Sequence, residues 1–525
     1  MMSLRPPLFR SPRPRLASTA AAWLAALGLA FAASAQLGLP PPKPKAPEEN
    51  KTVEVKPRAG EVRAVWLRLN DGDAIATPAK TAETMRRLKD TGLNTVYVTV
   101  WQDGFPLFPS EVMQKAGEVR ISPALTGARD LLSEVLIEGH RNGLLVIACF
   151  EGGLIASPAT AENPLRRLKK DWLLRDAKGG ETANGGAWMN PVHPDVKKFM
   201  IDLVLEAADR YDLDGIQFDE RMCWGDPTLG FDDTTRAAYS RETGGQALPT
   251  NPKDPGLNRW RAEKGVRFVR ELASAVKEKH AGLIVSMAAP TQQAAMDGFL
   301  CDWPAMVRAG LMDEFVIKCH RPDVAGFTAA WNESAKLMGG RRPECVVGVR
   351  AIGGEGPDLP WADVQKELAA SRDSQAAGFV VSSSRAVLFT YAAAFNDFFA
   401  VAKNGRVRHP LRALDWRPGP LKPERMNYRG EYLVTKGFPS GFFRAIVATK
   451  EPGVWIESSI KFSEGMAKIS KEGAAALQAS GTVEFLVDRR NDNLSPIPDP
   501  NAPPPPPPKP AEPRKRDKPP AGGGG

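Results

Sequence analysis

The 525-residue sequence predicts an α/β protein: a (β/α)8 TIM barrel, then a small β-rich C-terminal module and a disordered Pro-rich tail. Three observations carry this. Apolar runs and segments with helical periodicity alternate eight times between residues 60 and 402. The runs are continuously apolar, as strands are when both faces of a parallel sheet are covered. No G-x-G-x-x-G follows the first run, which weakens the competing doubly wound open sheet.

The N-terminus reads as a secretory signal peptide over residues 1–35. Arg5, Arg10, Arg13 and Arg15 precede a short apolar stretch that stops at Ala33-Ser34-Ala35, so cleavage is expected before Gln36. The apolar stretch is shorter than the ~20 residues of a membrane span, which disfavours an uncleaved anchor. Residues 36–59 form a Pro-rich linker. Export to the periplasm or beyond is the expected localisation.

The barrel elements follow in order. "VRAVWLRL" precedes the helical "AKTAETMRRLKDTG", and "NTVYVTVW" precedes "ARDLLSEVLIEGHRNG". "LLVIACFE" leads to "HPDVKKFMIDLVLEAADRY", and "LDGIQFDE" to "RWRAEKGVRFVRELASAVKEKH". Then come "GLIVSMAAP" with "WPAMVRAG", and "DEFVIKCH" with "VAGFTAAWNESAKLM". "ECVVGVRAI" with "WADVQKELAASRDSQAA", and "GFVVSSSR" with "AAAFNDFFAVAK", complete the set. Over residues 424–490 "GEYLVTK", "FFRAIVAT", "VWIESSIKF" and "TVEFLVD" read as strands, with a helix in "KEGAAALQAS". Residues 491–525 hold too few apolar side chains to pack.

Charge and cysteines narrow the function class. The formal charge is +9, and the four arginines of residues 1–35 leave with the signal peptide. No basic stripe interleaved with aromatics suggests nucleic-acid binding. A mild positive balance suits an anionic polymer such as cell wall. Cys149, Cys223, Cys301, Cys319 and Cys345 include no C-x-x-C pair, so no zinc site is indicated. A single disulfide after export remains open, without an assignable pairing. With five histidines, none paired at ligand spacing, no metal or other cofactor is expected.

In such a barrel the active site lies where the strands end, under the βα loops. The strand "GIQFD" gives the clearest candidate. Alternation puts Gln217 and Asp219 on the face opposite Ile216 and Phe218, so Asp219 points into the barrel mouth. Glu220 begins the loop, and alternation does not fix its direction. Glu151 ends the preceding strand. These three are the catalytic candidates, since an acid held at a dry strand end can serve as proton donor or stay ionised as a nucleophile or electrostatic stabiliser. Trp101, Gln102, Asp103, Gln217, Trp224, Lys318, His320 and Arg350 are candidate substrate-binding residues, the two tryptophans as stacking platforms. No G-x-S-x-G elbow or H-E-x-x-H occurs.

"GEVRAVWLRL", "GLNTVYVTVWQDGFPLFPS", "MNPVHPDVKKFMIDLVLEAADRYDLDGIQFDE" and "VRAGLMDEFVIKCHRP" resemble, in order, the blocks of the glycosyl-hydrolase-like family ten. The resemblance covers roughly Gly60 to Phe399, and the block from Asn190 and His193 to Asp219 is its most specific part. It implies a (β/α)8 barrel, export from a bacterium and hydrolysis of glycosidic bonds in a polysaccharide. One branch of the family is directed to peptidoglycan glycan strands stripped of their peptides. Where the family shows two aspartates, this chain has Asp219 and Glu220. Where it shows Phe-Asn, this chain has Phe150-Glu151, and Lys318 and His320 replace a Gln and an aromatic. The same barrel could instead serve as a non-catalytic carbohydrate-binding or envelope-scaffold protein.

Overall fold

The computed structural model describes residues 60–490, apart from 126, 128, 354–356, 400–404, 424, 450–452 and 480–482. The expected signal peptide, the linker and the Pro-rich tail lie outside the described residues.

Eight parallel strands close a barrel: β1 (Val62–Leu67), β2 (Thr95–Thr99), β3 (Leu145–Phe150), β4 (Gly215–Asp219), β5 (Ile284–Pro290), β6 (Glu314–Lys318), β7 (Cys345–Arg350) and β8 (Gly378–Ser382). Each strand pairs with its sequence neighbours, and β8 closes on β1 through the Val62↔Gly378 register. Nearly every strand residue is buried, which is why these segments carry no polar alternation. The helices that cover them are α1 (Pro78–Asp90), α2 (Leu131–Arg141), α3 (Pro194–Arg210), α4 (Pro255–Lys279), α5 (Trp303–Arg308), α6 (Val324–Met338), α7 (Trp361–Asp373) and α8 (Ala392–Phe399). Their starts are fixed chemically. Asp130 and Asp254 cap α2 and α4 by accepting from the N–H of Ser133 and Leu257, and Pro sits in the first turn of α3, α4 and α5.

Alternation divides each strand between two cores. Val62, Ala64, Trp66, Tyr97, Ile147, Cys149, Ala288, Val316, Val346 and Val380 fill the barrel interior. The opposite faces join the larger core beneath the helices. A polar thread runs through the interior: Trp66 Nε1 donates to Gln217 Oε1 (2.9 Å), Gln217 Nε2 to Ser286 Oγ (3.0 Å), and Ser286 Oγ to Glu314 Oε1 (2.7 Å). Tyr97 also donates to Glu314 (2.7 Å). Each polar side chain of this thread thus has a partner, as burial requires.

The C-terminal module consists of two three-stranded antiparallel sheets. One holds β9 (Met426–Arg429), β10 (Tyr432–Thr435) and β13 (Met466–Lys468), and the other β11 (Gly441–Ala448), β12 (Trp455–Phe462) and β14 (Val483–Val487). Phe438, Phe443, Phe462 and Phe485 make its core. It packs at the N-terminal end of the barrel, where Arg417 meets Asp212 and Asp214 just before β4. Among the described residues no helix is long and apolar enough to cross a membrane.

Candidate active site at the barrel mouth

The C-terminal strand ends bring three carboxylates and three cations together. β4 ends at Asp219, and a single 3-10 turn (Glu220–Met222) follows at once. Asp219 shapes that turn, because its Oδ1 accepts from the N–H of Arg221 (3.1 Å) while Oδ2 pairs with the Arg221 guanidinium (2.9 Å). Glu220 accepts from Lys318 Nζ at the end of β6 (2.7 Å), and the same ammonium lies 3.9 Å from Asp219 Oδ2. Glu151, just past β3, is held by Arg68 through both carboxylate oxygens (2.8 and 2.5 Å) and by Thr99 Oγ1 (2.9 Å).

Burial and charge then separate these acids. Burial, followed by the charge of Glu220, pushes the Asp219 carboxyl far above the usual carboxylate range, against the opposing pull of Arg221 and Lys318. Burial acts on Glu220 in the same direction, but Lys318 and then Arg221 outweigh it and hold Glu220 below that range. Glu151 is likewise held low, with Arg68 overcoming burial. The two adjacent acids are thus pushed in opposite directions, Asp219 toward holding its proton and Glu220 toward the carboxylate.

A cavity of about 440 Å³ opens over the turn, lined in part by Arg68, Asn70, Asp71, Glu220, Arg221, Lys318, His320, Arg350 and Arg385. Asp219 and Glu151 are not in this lining, so of the three strand-end acids Glu220 is the one presented to the cavity, beside Asp71 from the loop after β1. Burial, then the charges of Lys318, Arg68 and Arg350, takes His320 from 6.5 to about 3, so it stands there as neutral imidazole. Arg350 donates to the carbonyls of Gly353 (3.1 Å) and Pro357 (2.9 Å) and braces the loop after β7. Among the described residues no group of three or more His, Cys, Asp or Glu side chains is arranged to hold a metal ion.

Other expected positions fall elsewhere. Trp101 and Trp224 are fully buried and offer no stacking face. Trp101 packs on Phe199 and donates to Gly153 O (2.9 Å), and Trp224 lies under the Arg261 guanidinium. Both residues follow strand ends, but their loops fold back over them. Gln217 does point inward, yet its two hydrogen bonds within the barrel thread consume it one layer below the mouth. Gln102 and Asp103 line a second, larger groove of about 710 Å³ with Leu69, Phe105 and Leu107, which meets the mouth only at Asn70. The Asn190 block is architectural: Asn190 donates to Asp232 and Thr235 (2.9 Å each), and His193 caps α3.

Arg68 and Arg221, the partners of Glu151 and Asp219, were not among the expected site residues. Arg68 had a sequence signal, since it continues the inward parity of Ala64 and Trp66 on β1. Arg221 had none beyond its place after two acids.

A family model described as glycosyl hydrolase-like 10 matches residues 61–353. A protein named glycosyl hydrolase DigH, from Escherichia coli K12, is 26% identical over 156 residues, 26% of this chain and 33% of that protein. The Shigella flexneri protein of that name matches with the same figures. The chain thus spans about a third of the length of these relatives. Among solved structures, the PgaB (BpsB) glycoside hydrolase domain from Bordetella bronchiseptica has 15% identity and a TM-score of 0.47, covering 66% of this chain and 99% of that one. The β-amylase catalytic domain from Paenibacillus polymyxa has 10% identity and a TM-score of 0.45, with the same coverage.

Proposed function

The chain belongs to the glycosyl hydrolase-like 10 family, and from that membership we propose that it is an exported hydrolase of glycosidic bonds in a carboxylate-bearing polysaccharide. Peptidoglycan glycan strands freed of their peptides are the proposed substrate.

The observation that carries this reading is the division of labour at the end of β4. Glycosidic cleavage needs a proton for the departing oxygen and a negative charge beside the oxocarbenium-like carbon. Adjacent carboxyls whose proton affinities are driven apart, one up and one down, are suited to supply both. Glu220 faces the cavity as the negative partner, and Asp219 behind it holds the proton. Glu151 is the weaker candidate, because Arg68 and Thr99 occupy both of its oxygens. Arg350, bonded to backbone carbonyls, and Arg385, exposed at the rim, add positive charge to the wall. A glycan carrying free carboxylates fits that wall better than a neutral one. Export rests on the N-terminal pattern, and N-terminal sequencing of the secreted protein should begin at Gln36.

The decisive assay measures new reducing ends after incubation with denuded glycan strands and with neutral chitin-type oligomers. The wild-type chain should release them from the acidic polymer, and Asp219→Asn and Glu220→Gln should each lower the rate by about 10²-fold or more. Binding without release by the wild type would instead make the barrel a carbohydrate-binding scaffold. Wild-type rates in both variants would remove the pair from the chemistry.

A further inference from the structure

Two thiols behind the turn that carries Glu220 and Arg221 face one another. Cys223 ends that turn, and Cys301 follows the helix Gln292–Phe299. Both are fully buried. The Cys301 thiol is hydrogen-bonded to that of Cys223, which, with burial, raises it well above the ordinary thiol range. The surrounding structure holds their two loops in register. Asn184 Nδ2 donates to the carbonyls of Gly225 (3.4 Å), on the loop after β4, and Gly298 (3.2 Å), in the last turn of the helix that precedes Cys301. Helix α4 closes the opposite side, where a Cβ at Gly265 would come within 3.0 Å of Cys223 Cβ.

We propose that Cys223 and Cys301, free thiols in this structure, become joined in the exported protein by a disulfide bond that ties the loop after β4 to the residues after helix Gln292–Phe299. The two thiols lose two protons and two electrons, and one S–S bond forms. The electrons reduce an external disulfide oxidant, either glutathione disulfide or an oxidised dithiol protein, to two thiols. The buried thiols are poor nucleophiles in the folded state, so the bond forms while the chain folds.

The other cysteines are placed apart. Phe315 is the register partner of Cys345, and Cys319 lies four residues further on, just past the end of β6, about 13 Å away at strand rise. That exceeds the ~7 Å between Cα atoms that a disulfide tolerates. Cys149 is inside the barrel, in contact with Gln217 (3.4 Å). The pairing stands on the two loops alone and does not depend on glycosidase activity.

The test is to fold the reduced full chain in a glutathione disulfide/glutathione buffer and alkylate it in denaturant without reductant. Three cysteines should react (Cys149, Cys319 and Cys345), and all five after reduction, with a reductant-sensitive peptide joining Cys223 to Cys301. A thermal melt gives the second measurement. Reductant should lower the Tm of the oxidised wild type by several degrees and leave a Cys223→Ala/Cys301→Ala chain unchanged. Five reactive thiols without reductant, a bond to another cysteine, or a wild-type Tm indifferent to reductant would overturn the assignment.

Discussion

At the barrel mouth one ammonium serves two acids. Lys318 Nζ is 2.7 Å from Glu220 and 3.9 Å from Asp219, and it lowers the proton affinity of both. Replacing Lys318 by Met, which keeps the stem and removes the charge, should raise both. More acid is then needed to see Glu220 protonated in the wild type than in the variant. The acidic limb of the pH–rate profile should therefore move to higher pH in Lys318→Met, and the basic limb should rise as well. Reducing-end release measured from pH 4 to pH 9 checks this, and an unshifted profile would place Lys318 outside the titrating unit. Strand parity put Asp219 on the inward face of β4, because alternation is a local property, but it did not show that Glu220 rather than Asp219 would line the cavity. The burial of Trp101 and Trp224 was not legible, because it depends on how loops distant in sequence close over them. Nor could sequence show how the mouth acids share their cations, since Arg68, Arg221 and Lys318 come from three different strand ends.

Among the elements, α7 carries an imbalance that predicts a gain in stability. Glu367 is buried on its inner face, and neither carboxylate oxygen has a hydrogen-bond partner. Burial pushes its carboxyl from 4.5 to about 8, with Arg350 only partly opposing. The folded chain then holds a proton that the unfolded chain releases near 4.5, so stability falls as pH rises from about 4.5 to about 8. Glu367→Gln removes that penalty and should stabilise the protein by about 2 kcal/mol at pH 8 and by little at pH 4.5. Urea denaturation at both pH values tests it, and equal ΔΔG values would refute it. The eight barrel strands were all legible, because each is an apolar run of five to seven residues between loop signals. The small antiparallel sheet of Ile155–Pro158, Gly186–Trp188 and Thr182–Ala183 was not, being too short to show a period. The hairpin at Trp101–Pro106 did carry a signal. Its turn is Asp103-Gly104, both at positive φ (53° and 77°), and Asp-Gly is the dipeptide such turns favour. Gly104 is also required sterically, because a Cβ there would lie 2.0 Å from Ala156 O.

Over the whole molecule, the end of the barrel opposite the cavity is sealed by the C-terminal module through buried charge. Arg417 donates to Asp212 Oδ2 (2.8 Å) and Asp214 Oδ1 (2.9 Å), and His140 Nε2 meets Asp214 Oδ2 at 3.0 Å. Arg444 of β11 contacts the other ring nitrogen of His140, and Ile137, Ile446 and Leu486 pack alongside. A neutral imidazole fits both contacts, donating from Nε2 and accepting at Nδ1. Burial, then Arg417, takes His140 from 6.5 to about 4, although Asp214 pulls the other way. The unfolded chain therefore binds a proton near 6.5 that the folded chain refuses until about 4, and stability falls as pH drops through that window by up to about 3 kcal/mol. Arg417, joined by Arg444 at Asp212 and by the His140 hydrogen bond at Asp214, holds both carboxyls below the usual range despite burial, which extends the loss to lower pH. Arg417→Ala leaves two buried carboxylates without their main partner and should cost about 3–5 kcal/mol, unless the module detaches to hydrate them. Limited proteolysis distinguishes these outcomes. Cleavage confined to residues 405–425 would show a barrel that survives while its seal opens, and uniform degradation would show that the two parts stand or fall together. The second result is expected, because the same two aspartates that receive Arg417 lead directly into β4. Loss of the seal should thus reach the strand that ends in Asp219, and Arg417→Ala should lower glycan cleavage even though it changes no residue at the mouth.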